Sequence, residues 1–271
     1  MSEDPIVTPA SDRHAIDVMA FGIELNKPID AAMLERIDAL YSRSEGILRS
    51  LLPDREQLAG LAISFSNNQF RSVNASNSGL RFLKKNEAGK SLWAADVRQN
   101  IVSISCHDYE RWASALEFAM QVMNPIANLL IENGYTFSAI GLQYQDIFHV
   151  DTLDIHEATP KVFSAEQNWI PKNALKQFRP WHVHQGWFSV DAYNRRILNL
   201  LNIDVLLDSA LKAVYRIVGQ HRLLGFADDG ITPVSLAISD LEPGWAALHQ
   251  ANKGVLLDLL TEEVSERIGL R

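Results

Sequence analysis

Apolar residues change period several times along the chain, and each change marks an element. From Ala15 to Leu25, Ile16, Val18 and Ala20 take one parity and Met19, Phe21 and Ile23 the other. Apolar residues on both parities predict a strand buried on much of both faces. Pro28-Ile29-Asp30 then opens a predicted helix. Asp30 suits the N-cap because its carboxylate accepts from free first-turn amides, and Ile29, Met33, Ile37 and Leu40/Tyr41 share a helical face. Gly46 and Pro53 punctuate its end. Leu61, Ile63 and Phe65 next alternate with Ala62, Ser64 and Ser66. Turns are expected at Asn67-Asn68, Asn77-Ser78-Gly79 and Asn86-Glu87-Ala88-Gly89. They separate strands near 69–76, 79–85, 91–98 and 100–106, an antiparallel meander.

A period of 3.6 returns after Asp108, read as a helix cap. The stripe Trp112, Leu116, Ala119/Met120, Met123, Ala127 and Leu130 predicts a long helix that stops at Gly134. Pro125 lies inside it. An interior proline removes a hydrogen bond and clashes with the preceding turn, so a kink or break is expected there. Phe137 to Val150 reads as one long strand with Ile140, Leu142, Tyr144, Phe148 and Val150 on one face. Residues 151–180, with Pro160, Pro171 and Pro180, read as irregular. Strands are expected near 183–192, 196–206 and 212–224, a turn at Asp228-Asp229-Gly230, and a short strand from Val234 to Ser239. A final helix carries Trp245, Leu248, Asn252, Leu256, Leu259/Leu260 and Val264 on its inner stripe.

Meanders followed by long helices predict an α+β fold of antiparallel sheet packed against helices. The expected organisation is a flexible tail at 1–13, an N-terminal α+β half at 14–151, a connector at 152–180 and a C-terminal α+β half at 181–271. The halves share a pattern: Ile104-Ser105 precedes Asp108 and Trp112, as Ile238-Ser239 precedes Glu242 and Trp245. Duplication accounts for this, and so does the common look of amphipathic helices.

The 271 residues carry 25 Lys+Arg against 33 Asp+Glu, a formal charge of −8. That balance disfavours general association with the phosphate backbone of nucleic acid. The short basic run Arg81, Lys84, Lys85 and Lys90 reads as a solvated strand edge. Cys106 is the only cysteine, so no internal disulfide can form, and a reducing, cytoplasmic setting is expected. The N-terminus lacks the basic-then-apolar order of a signal peptide. No apolar run approaches the roughly 20 residues that span a bilayer.

The run from Trp245 to Leu270, through Leu248-His249, Asn252, Leu256-Leu257-Asp258-Leu259-Leu260-Thr261-Glu262-Glu263 and Arg267-Ile268-Gly269-Leu270, resembles the end of a sporadically distributed bacterial protein family of unknown function. That family finishes on a helix reading "LH..N...L...LLTPE…RIGL". Two positions depart from it: Glu262 stands where proline is frequent, and Gln143-Tyr144-Gln145-Asp146 lacks the "Y.N" character. The resemblance carries no catalytic residues. Its patchy occurrence implies accessory work such as phage defence or toxin–antitoxin pairing.

Two segments look chemical. In His149-Val150-Asp151-Thr152-Leu153-Asp154-Ile155-His156-Glu157, His149 and Asp151 share a strand face, and His156 could reach back to complete a divalent-metal site. The competing reading is a strand dissolving into a polar loop. In Trp181-His182-Val183-His184-Gln185-Gly186-Trp187-Phe188, His182 and His184 share a face and Trp181 and Trp187 flank them, a surface suited to a ligand or partner. Half-buried aromatics at a strand start are the alternative. Cys106 and His107 are adjacent on a strand and point opposite ways, so Cys106 reads as core. Gly89-Lys90-Ser91 lacks the upstream glycine of a phosphate loop, and no other common catalytic motif occurs.

The leading expectation is a non-enzymatic binding or assembly protein with no cofactor, whose partner is a protein encoded nearby or a second copy of itself. The alternatives are a metal-dependent hydrolase or nuclease and a lipid or small-molecule binder with an apolar cavity.

Overall fold

A computed structural model describes residues 5–11, 13–43, 46–66, 69–226, 232 and 234–270; for 59–66 and 69–78 it describes the backbone alone. The expected turns at Asn67-Asn68 and Asp228-Asp229-Gly230 fall outside the described residues, wholly or in part. The fold is α+β, with antiparallel strands and several helices. Contacts divide the chain into two compact units, each discontinuous in sequence. A central unit holds Ala20–Ile140 and Gly225–Glu242; a terminal unit holds Met1–Met19, Gly141–Leu224 and Pro243–Arg271.

In the central unit the strand order is β3 (Asp54–Ser66), β4 (Gln69–Lys85), β5 (Ser91–Arg98), β6 (Ile101–Cys106), β2 (Ile16–Leu25) and β7 (Phe137–Val150), the last two contributing residues to both units. The meander is as the alternation predicts, with one difference. No turn occurs at Asn77-Ser78-Gly79, because β4 runs through it as a single 17-residue strand. Gly79 permits this: a Cβ there would sit 2.5 Å from the Val97 carbonyl oxygen, so the glycine serves close strand approach instead of a bend.

Helix α1 (Ala31–Ser42) starts on Asp30, whose carboxylate accepts from the Met33 amide at 2.8 Å, and buries Met33, Leu34, Ile37 and Tyr41. Helix α2 (Ile47–Leu51) follows. Helix α3 (Trp112–Glu132) begins later than expected. Arg111 holds its N-cap position, and no side chain caps it. Its end matches the sequence reading: Gly134 has φ +74°, with Gly134 N bonded to Ile131 O and Tyr135 N to Leu130 O, the two bonds of a Schellman cap. The expected break at Pro125 is absent; α3 is continuous through it. Met123, Ile126 and Leu130 are fully buried around the proline. Burial at about 1.5–3 kcal/mol per large side chain outweighs the roughly 3 kcal/mol cost of the ring.

In the terminal unit the order is β7, β10 (Ala213–Leu224), β9 (Arg196–Leu207) and β8 (Trp181–Val190), with β1 (Val7–Pro9) also on β7. The segment read as irregular contains α4 (Ile155–Val162), capped by Asp154, whose carboxylate accepts from the His156 and Glu157 amides. Its shortness and internal Pro160 hide it from a periodicity reading. Helix α5 (Leu241–Leu259) stops before Thr261, which caps a separate α6 (Glu262–Arg267), so the predicted final stripe spans two helices. The expected strand at Val234–Ser239 reduces to one bridge, Phe137 to Leu236, and a 3-10 turn at Ile238–Asp240. This unit's core gathers Phe148, Val150, Ile155, Phe163, Ile203, Val205, Tyr215, Leu256, Leu259 and Val264. No described helix is long and apolar enough to cross a membrane.

Candidate functional site

Strand β8 carries the four predicted contact residues, and the pleat sorts them. Trp181, Val183, Gln185 and Trp187 lie half-buried on one face; His182, His184, Phe188 and Val190 lie exposed on the other. The histidines do share a face, as period-two alternation requires. The tryptophans turn away from them. Trp187 packs on Trp169 at 4.5 Å between ring centroids, and Trp181 lies 6.2 Å from Phe163. The loop beneath is fastened by Gln167, whose side-chain oxygen accepts from the Trp169 and Ile170 amides at 2.6 Å while its nitrogen donates to Ile170 O.

On the exposed face His184 pairs with Asn202, and the Arg196 guanidinium lies over the Phe188 ring at 5.7 Å. Phe188, Val190 and Tyr193 are 62%, 61% and 76% exposed. Strand β8 pairs with β9 from Trp181↔Val205 to Val190↔Arg196 and ends the strand order. Among the described residues its outer edge has no strand partner. Charge around it runs against that of the whole chain. Between residues 171 and 196 stand Lys172, Lys176, Arg179, Arg195 and Arg196, against Asp191 alone.

The second predicted constellation is spread out. His149 is exposed on β7, opposite Thr8 of β1. Asp151 is bound by Lys212 Nζ at 2.6 Å. His156 stacks on Phe178 at 4.5 Å. Among the described residues no three His, Cys, Asp or Glu side chains are grouped to hold a metal ion.

Sequence reasoning missed a polar layer buried between the sheet and α5 in the terminal unit. Tyr144 and Asp146 share the inner face of β7. Gln143 and Gln220 meet at 2.8 Å on the outer face, so by alternation Gly219 and His221 of β10 turn inward. His221 lies 2.8 Å from Asn199 Oδ1 through Nδ1 and 3.1 Å from the Asn252 amide through Nε2. The Asn199 nitrogen donates to Ser189 Oγ at 2.9 Å. Tyr144 Oη meets His249 Nδ1 at 2.8 Å, and Trp245 Nε1 donates to Gly141 O at 3.0 Å. His249 and Asn252 lie in the C-terminal run on which the sequence resemblance rests, and both make interior contacts.

His221, His249 and Asp146 of the layer are pushed toward their neutral forms. Burial lowers His221, and burial with help from Lys253 lowers His249 to about 4. Burial raises Asp146 to about 7. Its Oδ2 is among the buried atoms without a hydrogen-bond partner. A neutral His221 donates through Nδ1 to Asn199 and accepts at Nε2, which places the Asn252 NH2 toward the ring. This hydrogen-bonded arrangement fixes α5 on the sheet.

Other sequence candidates are absorbed by the fold. Cys106 is a buried free thiol, pushed up to about 11 by burial. Arg81 is bidentate to Asp96 across β4 and β5 at 2.6 and 2.8 Å, and Lys85 pairs with Glu56 at 3.0 Å.

No protein-family model matches the sequence, and no curated protein matches it.

Proposed function

We propose that the protein is a non-enzymatic binding protein that takes an extended, acidic segment of a partner polypeptide along the open edge of β8. The observation that carries this is the ten-residue strand β8, paired on one side only among the described residues and bordered by exposed Phe188, Val190 and Tyr193. An unpaired strand edge offers a row of main-chain donors and acceptors, and an added strand satisfies them. Arg195 is paired with Asp191 at 2.7 Å, and Lys172, Lys176, Arg179 and Arg196 favour acidic sequence in the incoming segment. They disfavour a second copy of β8, which would set like charges against one another. His182 and His184 lie where side chains flanking such a strand would pass. Trp181 and Trp187 support the strand from beneath.

The C-terminal resemblance supports an accessory role in a multi-gene bacterial system such as phage defence or toxin–antitoxin pairing. The buried lone thiol fits a cytoplasmic setting. A meander joined to a helix bearing Trp112 in one unit, and to one bearing Trp245 in the other, supports an ancient duplication.

The test is a library of ten-residue β-prone peptides graded in charge, read by affinity and by amide exchange across the chain. Acidic members should bind, slow exchange in β8 and lose at least tenfold affinity on Phe188→Asp with Val190→Asp. Binding indifferent to peptide charge, absence of binding, or unchanged exchange in β8 would overturn the reading.

A further inference from the structure

The terminal unit contains a second feature that the strand edge does not use. A groove of about 500 Å³ is lined by His156, Thr159 and Pro160 of α4, Phe163 and Glu166 after it, Leu175, and Thr261 and Glu262 at the start of α6. That volume lies within the range of small-molecule sites, whose walls are mostly apolar with a few placed polar groups.

The polar groups of the wall are largely committed inward. Thr159 Oγ1 donates to Ile155 O at 2.7 Å and lies 3.1 Å from Tyr215 Oη. Thr261 Oγ1 donates to Lys161 O and accepts from the Val264 amide. Ser164 Oγ accepts from the Glu166 amide. The Glu166 carboxylate has no hydrogen bond or ion pair among the described residues, and it is exposed at the groove. Two lining residues, Glu166 and Glu262, are carboxylates, while no Lys or Arg lines the groove. Phe163 lines the wall, and lining His156 is stacked on Phe178.

We propose that this groove is a binding site for a small apolar molecule bearing a cationic amine or quaternary ammonium head. The apolar body lies against Pro160, Phe163 and Leu175, and the head meets the Glu166 carboxylate. The lining explains each part. Satisfied hydroxyls leave the wall effectively apolar, so burying hydrocarbon there costs no lost hydrogen bonds. A carboxylate at the rim of an apolar wall favours a cation through charge. An anionic head would face the Glu166 carboxylate with no Lys or Arg among the lining residues to receive it.

The experiment is calorimetric titration of the full chain with decyltrimethylammonium, decylammonium, decanol and decyl sulfate, each below its micelle concentration. One equivalent of either ammonium compound should bind at least tenfold tighter than decanol or decyl sulfate. Glu166→Gln should weaken the ammonium compounds about five- to tenfold and leave decanol unchanged. Leu175→Arg should abolish binding of both ammonium compounds and weaken decanol, with its circular dichroism spectrum and melting curve confirming a folded chain. Glu87→Gln, at an exposed turn outside the groove, should change nothing. Equal affinity for cationic and anionic heads, an equal response to Glu87→Gln and Glu166→Gln, or no binding by any of the four would overturn the proposal. The outcome is independent of the peptide library, because the groove shares no residue with β8.

Discussion

Asn252 of α5 reaches the inner face of β10 because residue 219 is glycine: a Cβ at Gly219 would overlap the Asn252 side-chain amide and lie 3.2 Å from His221 Nε2. Gly219→Ala should therefore destabilise the protein by about 1–3 kcal/mol through overpacking. Asn252→Ala alone should also be costly, since it strips His221 of a partner. The two losses should not add. In the Gly219→Ala background, truncation of Asn252 removes the clash along with the contact, so a denaturant-melt double-mutant cycle should show coupling above 0.5 kcal/mol. Additivity would mean that the helix does not rest on this contact.

Asp146 is 2% exposed and raised to about 7 by burial. The unfolded carboxyl releases its proton near 4, while the folded one keeps it until about 7. Its contribution to stability is full below pH 4 and declines as pH rises toward 7. Asp146→Asn, which imitates the protonated acid, should remove that decline and stabilise the protein at pH 8 by about 1–3 kcal/mol, the usual scale for an uncompensated buried polar group. Chemical denaturation at pH 4 and pH 8 checks this, and equal effects at both would refute it.

His249 acts with the opposite sign. It is lowered to about 4 by burial and Lys253, and the unfolded imidazole takes its proton near 6.5. The folded state thus binds fewer protons between pH 6.5 and 4 and loses stability as pH falls through that window. Over that window Asp146 and His249 offset one another, and each substitution should unmask the other. His249→Phe should leave stability falling as pH rises from 4 to 7. Asp146→Asn should leave it falling as pH drops from 6.5 to 4. His249→Phe should also cost about 0.5–1.5 kcal/mol at neutral pH by removing one hydrogen bond of the Tyr144 hydroxyl.

Gly134 closes α3 with φ +74° and has open space where a Cβ would go. Gly134→Ala should cost about 1 kcal/mol, all of it backbone strain in the left-handed region. A larger loss in thermal unfolding would point to packing contacts that the geometry lacks.

Cys106, fully buried and pushed up to about 11, should resist a thiol reagent at pH 8 in the native state and react fully in denaturant. Fast native-state labelling would contradict its burial.

What the sequence determined by itself follows from local periodicity and local capping. The alternation through β5, β6, β7, β9 and β10, the helical stripe on α3, the cap at Asp30 and the stop at Gly134 are readable because each depends on residues a few positions apart. Such rules failed where distant contacts override local preference. Packing on both sides of Pro125 holds α3 intact, and the close approach of β5 turns an expected bend at Gly79 into strand. The His182–His184 face was visible from alternation alone; that β8 would be an edge strand was not, because strand order is set by pairings between remote segments. The polar layer lay deeper still. Asn199, His221 and Asn252 are 22 and 31 residues apart in sequence, and only the laying of α5 onto β9 and β10 excludes water from them. Exclusion of water is what makes their hydrogen bonds obligatory and moves the protons of Asp146 and His249.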